Sequence, residues 1–350
     1  MEKTNDYFVA RNNENTLKLR EILNKLPYFC TDYFIGIESR TTPLTRVNYA
    51  LDIVTFFEYL TKEVPGYIGK DIRALNFDDL NNLTVSMLER YVYYISYYKR
   101  NGKVYTNNEK AKARKLSAIR SMLKYFFKKE KISSNISEKM EMPKLHDKEI
   151  IRLEVDEVVK LINQAENPDL LTKNEQAFNK HTKIRDVAIL TLFLGTGIRI
   201  SELVGINMED IDFNVNGFKI TRKGGNQVVL YFSEEVRTAL LNYINEKANN
   251  KKVPKDENAL FLSLQNKRIS VRAVEKLVKK YSQVVTPLKK ITPHKLRSTY
   301  GTNLYRETQD IYIVADVLGH KDVNTTKKHY AAISEDARRS VANVVKLRED

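Results

Sequence analysis

Four segments place polar residues at the ends of helices or strands, three of them beside glycine. They are Gly197-Ile198-Arg199-Ile200-Ser201-Glu202-Leu203, Thr221-Arg222-Lys223-Gly224-Gly225, Thr292-Pro293-His294-Lys295-Leu296-Arg297 and Leu318-Gly319-His320. Tyr330 follows that last histidine by ten residues. These residue types suit chemistry on a phosphodiester. Its anionic oxygens repel a nucleophile, and more charge gathers on them in a pentacoordinate transition state. Two guanidiniums, Arg199 and Arg297, can hold both non-bridging oxygens with paired donors, which lysine does less well. His294 and Arg297 stand three apart near a helix start, so they share a face and can reach one phosphate. Pro293 at the first helical position and Thr292 as cap would fix that terminus, whose free N–H groups add positive potential. Singly, each segment has an ordinary explanation: a surface arginine, a solvated lysine at a hairpin tip, a histidine that caps.

The elements that must position these residues are mostly helical. Thr42-Pro43 starts a helix with Leu44, Val47, Leu51, Val54 and Phe57 on its apolar face. A second spans about Val85 to Lys99, with Met87, Tyr91, Ile95 and Tyr98 on one side. The third, about Asn108 to Lys129, buries Leu116, Ile119, Leu123 and Phe126. Lys110, Arg114, Ser117, Ser121, Lys124 and Lys128 line up roughly opposite, a stripe suited to phosphate contact or to plain solvation. The apolar pattern fades after Ile132, and residues 141–150 are expected to link a first domain, 1–140, to a second, 151–350. In that second domain the polar stretch Glu166 to Lys180 is expected to be a loop or short insertion. Ile184 to Leu194 forms an apolar helix running into Gly195-Thr196-Gly197. Phe218–Thr221 and Val228–Tyr231 flank glycines and read as a β-hairpin. Helices follow at about Glu234–Lys247, Val271–Ser282, Pro293–Glu307, Ile311–Leu318, Thr325–Ala332 and Glu335–Val345.

The 59 Lys+Arg against 44 Asp+Glu give a net charge of +15, which favours a polyanionic partner through counterion release. No apolar run is long enough to span a membrane, and Met1 to Arg11 has no apolar signal-peptide core. Cys30 is the only cysteine, so neither an intramolecular disulfide nor a cysteine metal cluster can form, and a reducing cytoplasm is the expected home. His146, His181, His294, His320 and His329 make no His-Glu-x-x-His motif, so no zinc site is expected.

Taken together and in order, the four segments and Tyr330 resemble the tyrosine recombinase (phage integrase) family, whose pattern is Arg, Lys, His-x-x-Arg, a Gly-His pair, then Tyr. The resemblance spans about Ile150 to Asp350. It is fainter over the first domain, where Thr42 to Leu60 and the basic third helix resemble the family's core-binding domain. Within the family the chain looks closest to the Xer type. The Glu166–Lys180 stretch and the chain length resemble the branch that acts as a single protein at a dif-like site (XerS-like). The implied fold is mainly α and two-domain. It joins an all-helical N-terminal core-binding domain to an α+β catalytic domain with a small antiparallel sheet.

The resemblance also implies roles. Tyr330 would be the nucleophile, forming a covalent 3′-phosphotyrosine, and His294 its base. Lys223 would be the general acid for the leaving 5′-oxygen, and His320 would bind a phosphate oxygen or position the tyrosine. Arg199 and Arg297 would clamp the phosphate, while Lys110, Arg114, Ser117, Ser121 and Lys124 would contact DNA. The covalent link stores the bond energy, so no cofactor is implied, and no Gly-x-x-x-x-Gly-Lys-Ser/Thr loop is present. Tyr300, Tyr305 and Tyr312 lie nearer His294 but out of register, and are expected to pack. The His320–Tyr330 spacing is one residue longer than in many Xer proteins, and Ser298 stands where many members have a second histidine.

The implied partners are double-stranded DNA with inverted-repeat half-sites, further copies of the chain in a homotetramer, and a DNA translocase of the FtsK type. The implied place is the cytoplasm, at the nucleoid. Resolution of chromosome dimers is the expected task. The alternatives are the integrase of a mobile element, a type IB topoisomerase, and a DNA-binding protein without catalysis. The tail Glu335–Val345 is expected to dock on a neighbouring subunit or to pack on its own domain.

Overall fold

The computed structural model describes residues 6–144, 151–222, 225–254, 257–320, 322, 323 and 326. The expected helix Thr325–Ala332 lies outside these apart from Thr326, and the expected tail helix Glu335–Val345 lies outside entirely. The chain divides into two compact units, Met1–Lys148 and Glu149–Asp350. No described helix is long and apolar enough to cross a membrane.

The first unit contains α1 (Asp6–Leu23), α2 (Phe29–Gly36), α3 (Pro43–Glu63), α4 (Phe77–Asn81) and α5 (Val85–Ser96), then strands β1 (Tyr97–Arg100) and β2 (Lys103–Thr106), and α6 (Glu109–Lys128). Helix α3 starts as its sequence dictates: Thr42 Oγ1 accepts from the Thr45 N–H at 3.2 Å, and Pro43 opens the first turn. Its buried face is broader than expected. Val47, Ala50, Ile53, Val54, Phe56, Phe57 and Leu60 are buried, whereas Leu44 and Leu51 are exposed. The face is rotated because α3 packs on both α1 and α6. Helix α6 is capped by Asn108, whose side chain accepts from the Ala111 N–H at 3.0 Å.

The segment read as one helix from Val85 to Lys99 ends at Ser96 and turns into a hairpin. Asn101 and Gly102 sit at φ 50° and 73°, the two left-handed residues of a tight hairpin turn. Tyr98 pairs with Tyr105 across it, their rings stacked at 5.3 Å, and Arg100 reaches Glu58 at 2.7 Å. The first unit is therefore helical with one small two-stranded sheet.

The second unit contains α7 (Val155–Glu166), α8 (Lys173–Asn179), α9 (Lys183–Thr196), α10 (Ile200–Gly205), β3 (Ile211–Asp212), β4 (Gly217–Thr221), β5 (Gln227–Tyr231), α11 (Glu234–Ala248), α12 (Val271–Val285), α13 (Pro293–Thr308) and α14 (Ile311–Leu318). The stretch Glu166–Lys180 is not a loop throughout. It holds α8, started by a reciprocal cap between Thr172 and Glu175. The three strands form an antiparallel sheet in the order β3-β4-β5, with Phe218 opposite Leu230. Helix α9 packs against α7, α11 and α13 and buries Ala188, Ile189, Leu190, Leu192 and Phe193. Its first turn carries the buried Asp186, which is bonded by Thr182, Arg185, Lys280 and Tyr281. A buried carboxylate needs such a set of donors.

Candidate active site

Helix α9 ends in a left-handed residue, Gly197, at φ 61°. A Cβ there would lie 2.4 Å from Tyr300 Cδ1 and 2.8 Å from Leu318 Cδ2, so α13 and α14 both close on this glycine. Arg199 follows two residues later as N-cap of α10. The Glu202 carboxylate accepts from the Arg199 backbone N–H at 2.9 Å and from its Nη1 at 2.8 Å. Glu202 is 4% exposed and Arg199 32%, so the pair has one buried member and one facing solvent.

Arg297 approaches from α13. It is 5% exposed, and its Nη1 donates to the Gly197 carbonyl at 2.6 Å while Nη2 donates to the Leu318 carbonyl. Arg199 Nη2 donates to the next carbonyl, Gly319, at 2.9 Å. A third guanidinium joins them. Arg222, at the end of β4, donates from Nη2 to Val317 at 2.8 Å and from both Nη atoms to Asp316 at 3.3 Å. Four successive carbonyls at the C-terminus of α14 are thus occupied by three arginines. A helix C-terminus carries unsatisfied carbonyls and partial negative charge, and cations are its natural caps. Burial pulls the Arg222 guanidinium below the usual arginine range, with Glu202 opposing the shift and Arg199 adding to it.

Gly319 ends α14 in the left-handed region at φ 61°, and its N–H returns to Asp316 at 2.8 Å. His320 follows, its N–H bonded to the Ala315 carbonyl and its Nδ1 2.7 Å from Thr326 Oγ1. His294 is exposed in the first turn of α13, three residues before Arg297. Thr292 occupies the cap position, but its side chain makes no capping bond, so Pro293 alone carries the expected start signal. The Ser298 hydroxyl donates to the His294 carbonyl at 3.1 Å.

Of the six residues singled out, Arg199, Arg297 and His320 meet at one turn, with His294 three residues before Arg297. Lys223 and Tyr330 lie outside the described residues. Tyr300 packs on Gly197, and burial raises its hydroxyl pKa. Tyr312, expected to pack, is 70% exposed at the start of α14. Glu202 and Arg222 were not singled out, although both lie inside the quoted segments. The three-residue Arg–Glu spacing could have revealed the first. Nothing in sequence reveals the second, because its partners are main-chain carbonyls. Among the described residues no cluster of His, Cys, Asp or Glu could hold a metal ion.

On α6, Lys110 and Lys124 are exposed. Arg114 pairs with Asp52, which Lys115 also reaches at 3.1 Å. Burial pushes the Asp52 carboxyl up, opposed by Lys115 and Arg114. Ser117 donates to the Ala113 carbonyl, and Ser121 accepts from the Tyr33 hydroxyl at 2.8 Å. The stripe is therefore three exposed lysines, Lys110, Lys124 and Lys128, around residues engaged within the protein.

The profile of the phage integrase family matches residues 152–336. The tyrosine recombinase XerC of Caldanaerobacter subterraneus is 34% identical over 322 residues, 89% of this chain and 84% of that protein. The tyrosine recombinase XerS of Streptococcus thermophilus is 27% identical over 365 residues, 93% of this chain and 98% of that one. Among solved structures, the XerH site-specific recombinase bound to palindromic difH substrate, a post-cleavage complex, superposes with a TM-score of 0.66. It is 18% identical, with 87% of this chain and 80% of that one covered. A lambda integrase dimer bound to a core site gives a TM-score of 0.60 at 16% identity, covering 88% and 95%.

Proposed function

The chain belongs to the phage integrase family, the tyrosine recombinases, enzymes that cut and rejoin DNA in site-specific recombination, and from that premise we propose its task and the parts its residues play. It acts as the single recombinase at a dif-like site of inverted-repeat half-sites, resolving chromosome dimers as a homotetramer with a DNA translocase of the FtsK type. Similarity to XerS over nearly the whole of both chains supports this choice of branch.

The observation that carries the chemistry is the convergence of Arg199, Arg297 and His320 on the turn that ends α14. Tyr330 lies ten residues further along the chain. The Tyr330 oxygen attacks phosphorus as His294 takes its proton, and the bond to the 5′-oxygen breaks as Lys223 supplies a proton to it. Arg199 and Arg297 hold the non-bridging oxygens through the charged transition state. The product is a 3′-phosphotyrosine, and attack by a 5′-hydroxyl on that link reverses the step and rejoins a strand. Lys110 and Lys124 contact the DNA backbone from α6.

Trapping on a suicide duplex tests the core of this reading. Tyr330→Phe should bind DNA with parent-like affinity and yield no covalent adduct on a denaturing gel. An adduct retained in that variant would name a different tyrosine. The cellular task is tested separately, by offering the enzyme two copies of an inverted-repeat site from its own chromosome. Exchange confined instead to the ends of a mobile element would assign it to integration.

A further inference from the structure

We propose that Arg222 is a positioning residue for Lys223, fastening the β4–β5 turn to the end of α14 so that the neighbouring lysine meets the leaving oxygen. The inference rests on the assignment of Lys223 as general acid. Arg222 is the residue at which the hairpin closes. Its N–H donates to the Asn226 carbonyl at 2.8 Å, and its own carbonyl accepts from the Gly225 N–H at 3.0 Å. Its side chain then leaves the sheet and grips Asp316 and Val317 on another element.

The grip is built, not incidental. The guanidinium fills the space a side chain at 319 would need: a Cβ there would lie 2.2 Å from Nη1, 2.3 Å from Cζ and 2.6 Å from Nε. Nε itself is buried without a hydrogen-bond partner among the described residues. A solvated arginine would keep that group in water, so close packing on Gly319 must offset the loss. The burial also explains the lowered Arg222 pKa.

All three guanidiniums give their Nη donors to groups of the protein, and Arg222 takes the carbonyls one and two residues before the Leu318 carbonyl that Arg297 holds. What sets Arg222 apart is its place in the chain, at the closing pair of the hairpin and one residue before Lys223. A general acid must stand within hydrogen-bond reach of the oxygen it protonates, and small displacements of such groups are costly. Anchoring the residue next to Lys223 restricts that displacement.

The test compares single-turnover cleavage of two suicide duplexes, one with oxygen and one with sulfur at the 5′-bridging position. As the Tyr330–phosphorus bond forms and the bridging bond breaks, an alkoxide requires a proton from Lys223. A thiolate leaves without one. Arg222→Ala should cleave the oxygen substrate about ten- to a hundredfold more slowly and the sulfur substrate at the parent rate. Arg222→Lys keeps the charge but not the two-carbonyl grip, and should show the same pattern with a smaller loss. A full rate on sulfur would itself show that the fold is intact; if Arg222→Ala fails to fold, Arg222→Lys decides. Equal losses on both substrates, or no loss on oxygen, would overturn the inference. Lys223→Ala on the same pair keeps the two ideas apart. Its rescue by sulfur without rescue of the Arg222 variants defeats the anchor alone, whereas failure of Lys223→Ala to recover defeats the acid assignment beneath it.

Discussion

Arg297 donates from Nη2 to the main-chain carbonyl of Leu318, which fastens the start of α13 to the last residue of α14. The same guanidinium reaches back to Gly197 at the end of α9. One buried side chain therefore joins three helices, and its planar fork makes that possible.

Arg297→Lys should lose both the fork and the enzyme. A lysine can serve one carbonyl but not both, leaving a buried acceptor unsatisfied at about 1–3 kcal/mol. Cleavage should fall on the order of a hundredfold or more, as for a lost transition-state donor. Urea unfolding and single-turnover cleavage measured together check this. Parent-like values in both would contradict the role assigned to Arg297.

Arg199 and Glu202 should separate stability from catalysis. Arg199→Ala removes the guanidinium partner of a carboxylate that is 4% exposed, so both melting temperature and cleavage should drop. Adding Glu202→Gln should recover most of the lost melting temperature, because a neutral amide tolerates the site without a cation. Cleavage should stay low in the double variant. Recovery of cleavage alongside stability would mean that Arg199 serves the fold and not the phosphate.

The α6 lysines give a salt-dependent signature. Lys110→Ala and Lys124→Ala should each reduce the slope of log K against log salt by about 0.9, the value for one neutralised phosphate. Arg114→Ala should behave differently, lowering the stability of the first unit because it strips a partner from the buried Asp52. Binding titrations across salt with a parallel denaturant melt distinguish them. Unchanged slopes in both lysine variants would make the stripe a solvated face.

Removing the chain after Ser334 should block recombination and leave half-site binding intact. Strand exchange joins two duplexes in a ring of subunits, and such rings need contacts that pass from each copy to the next. A truncated protein that melts well below the parent and loses half-site binding would show that Glu335–Val345 packs on its own domain.

Much of this was legible in sequence because local chemistry dictates it. Thr42-Pro43 starts α3, the apolar period fixes the buried side of α6, and Pro293 opens α13. Tertiary context decided the rest. The tyrosines of α5 suit a helix period and a strand equally, and the helical reading to Lys99 took no account of Asn101-Gly102, the pair that sets the hairpin. Helix α8 is seven residues long with little buried surface, and only its Thr172–Glu175 cap announces it. At the site, the arginines were readable by type and spacing. What gathers them is a row of main-chain carbonyls, Asp316 to Gly319, and every residue type offers a carbonyl.

Gly197 has one further consequence, for inheritance. The volume a side chain would occupy there is taken by the ring of Tyr300 and the tip of Leu318, residues from two other helices. A single step from glycine to any larger residue therefore meets two obstacles at once, besides an unfavourable backbone conformation. Shrinking Tyr300 alone opens a void without relieving Leu318. Position 197 is therefore closed to change on two separate grounds, and room made at both Tyr300 and Leu318 would still leave a side chain there in an unfavourable backbone conformation.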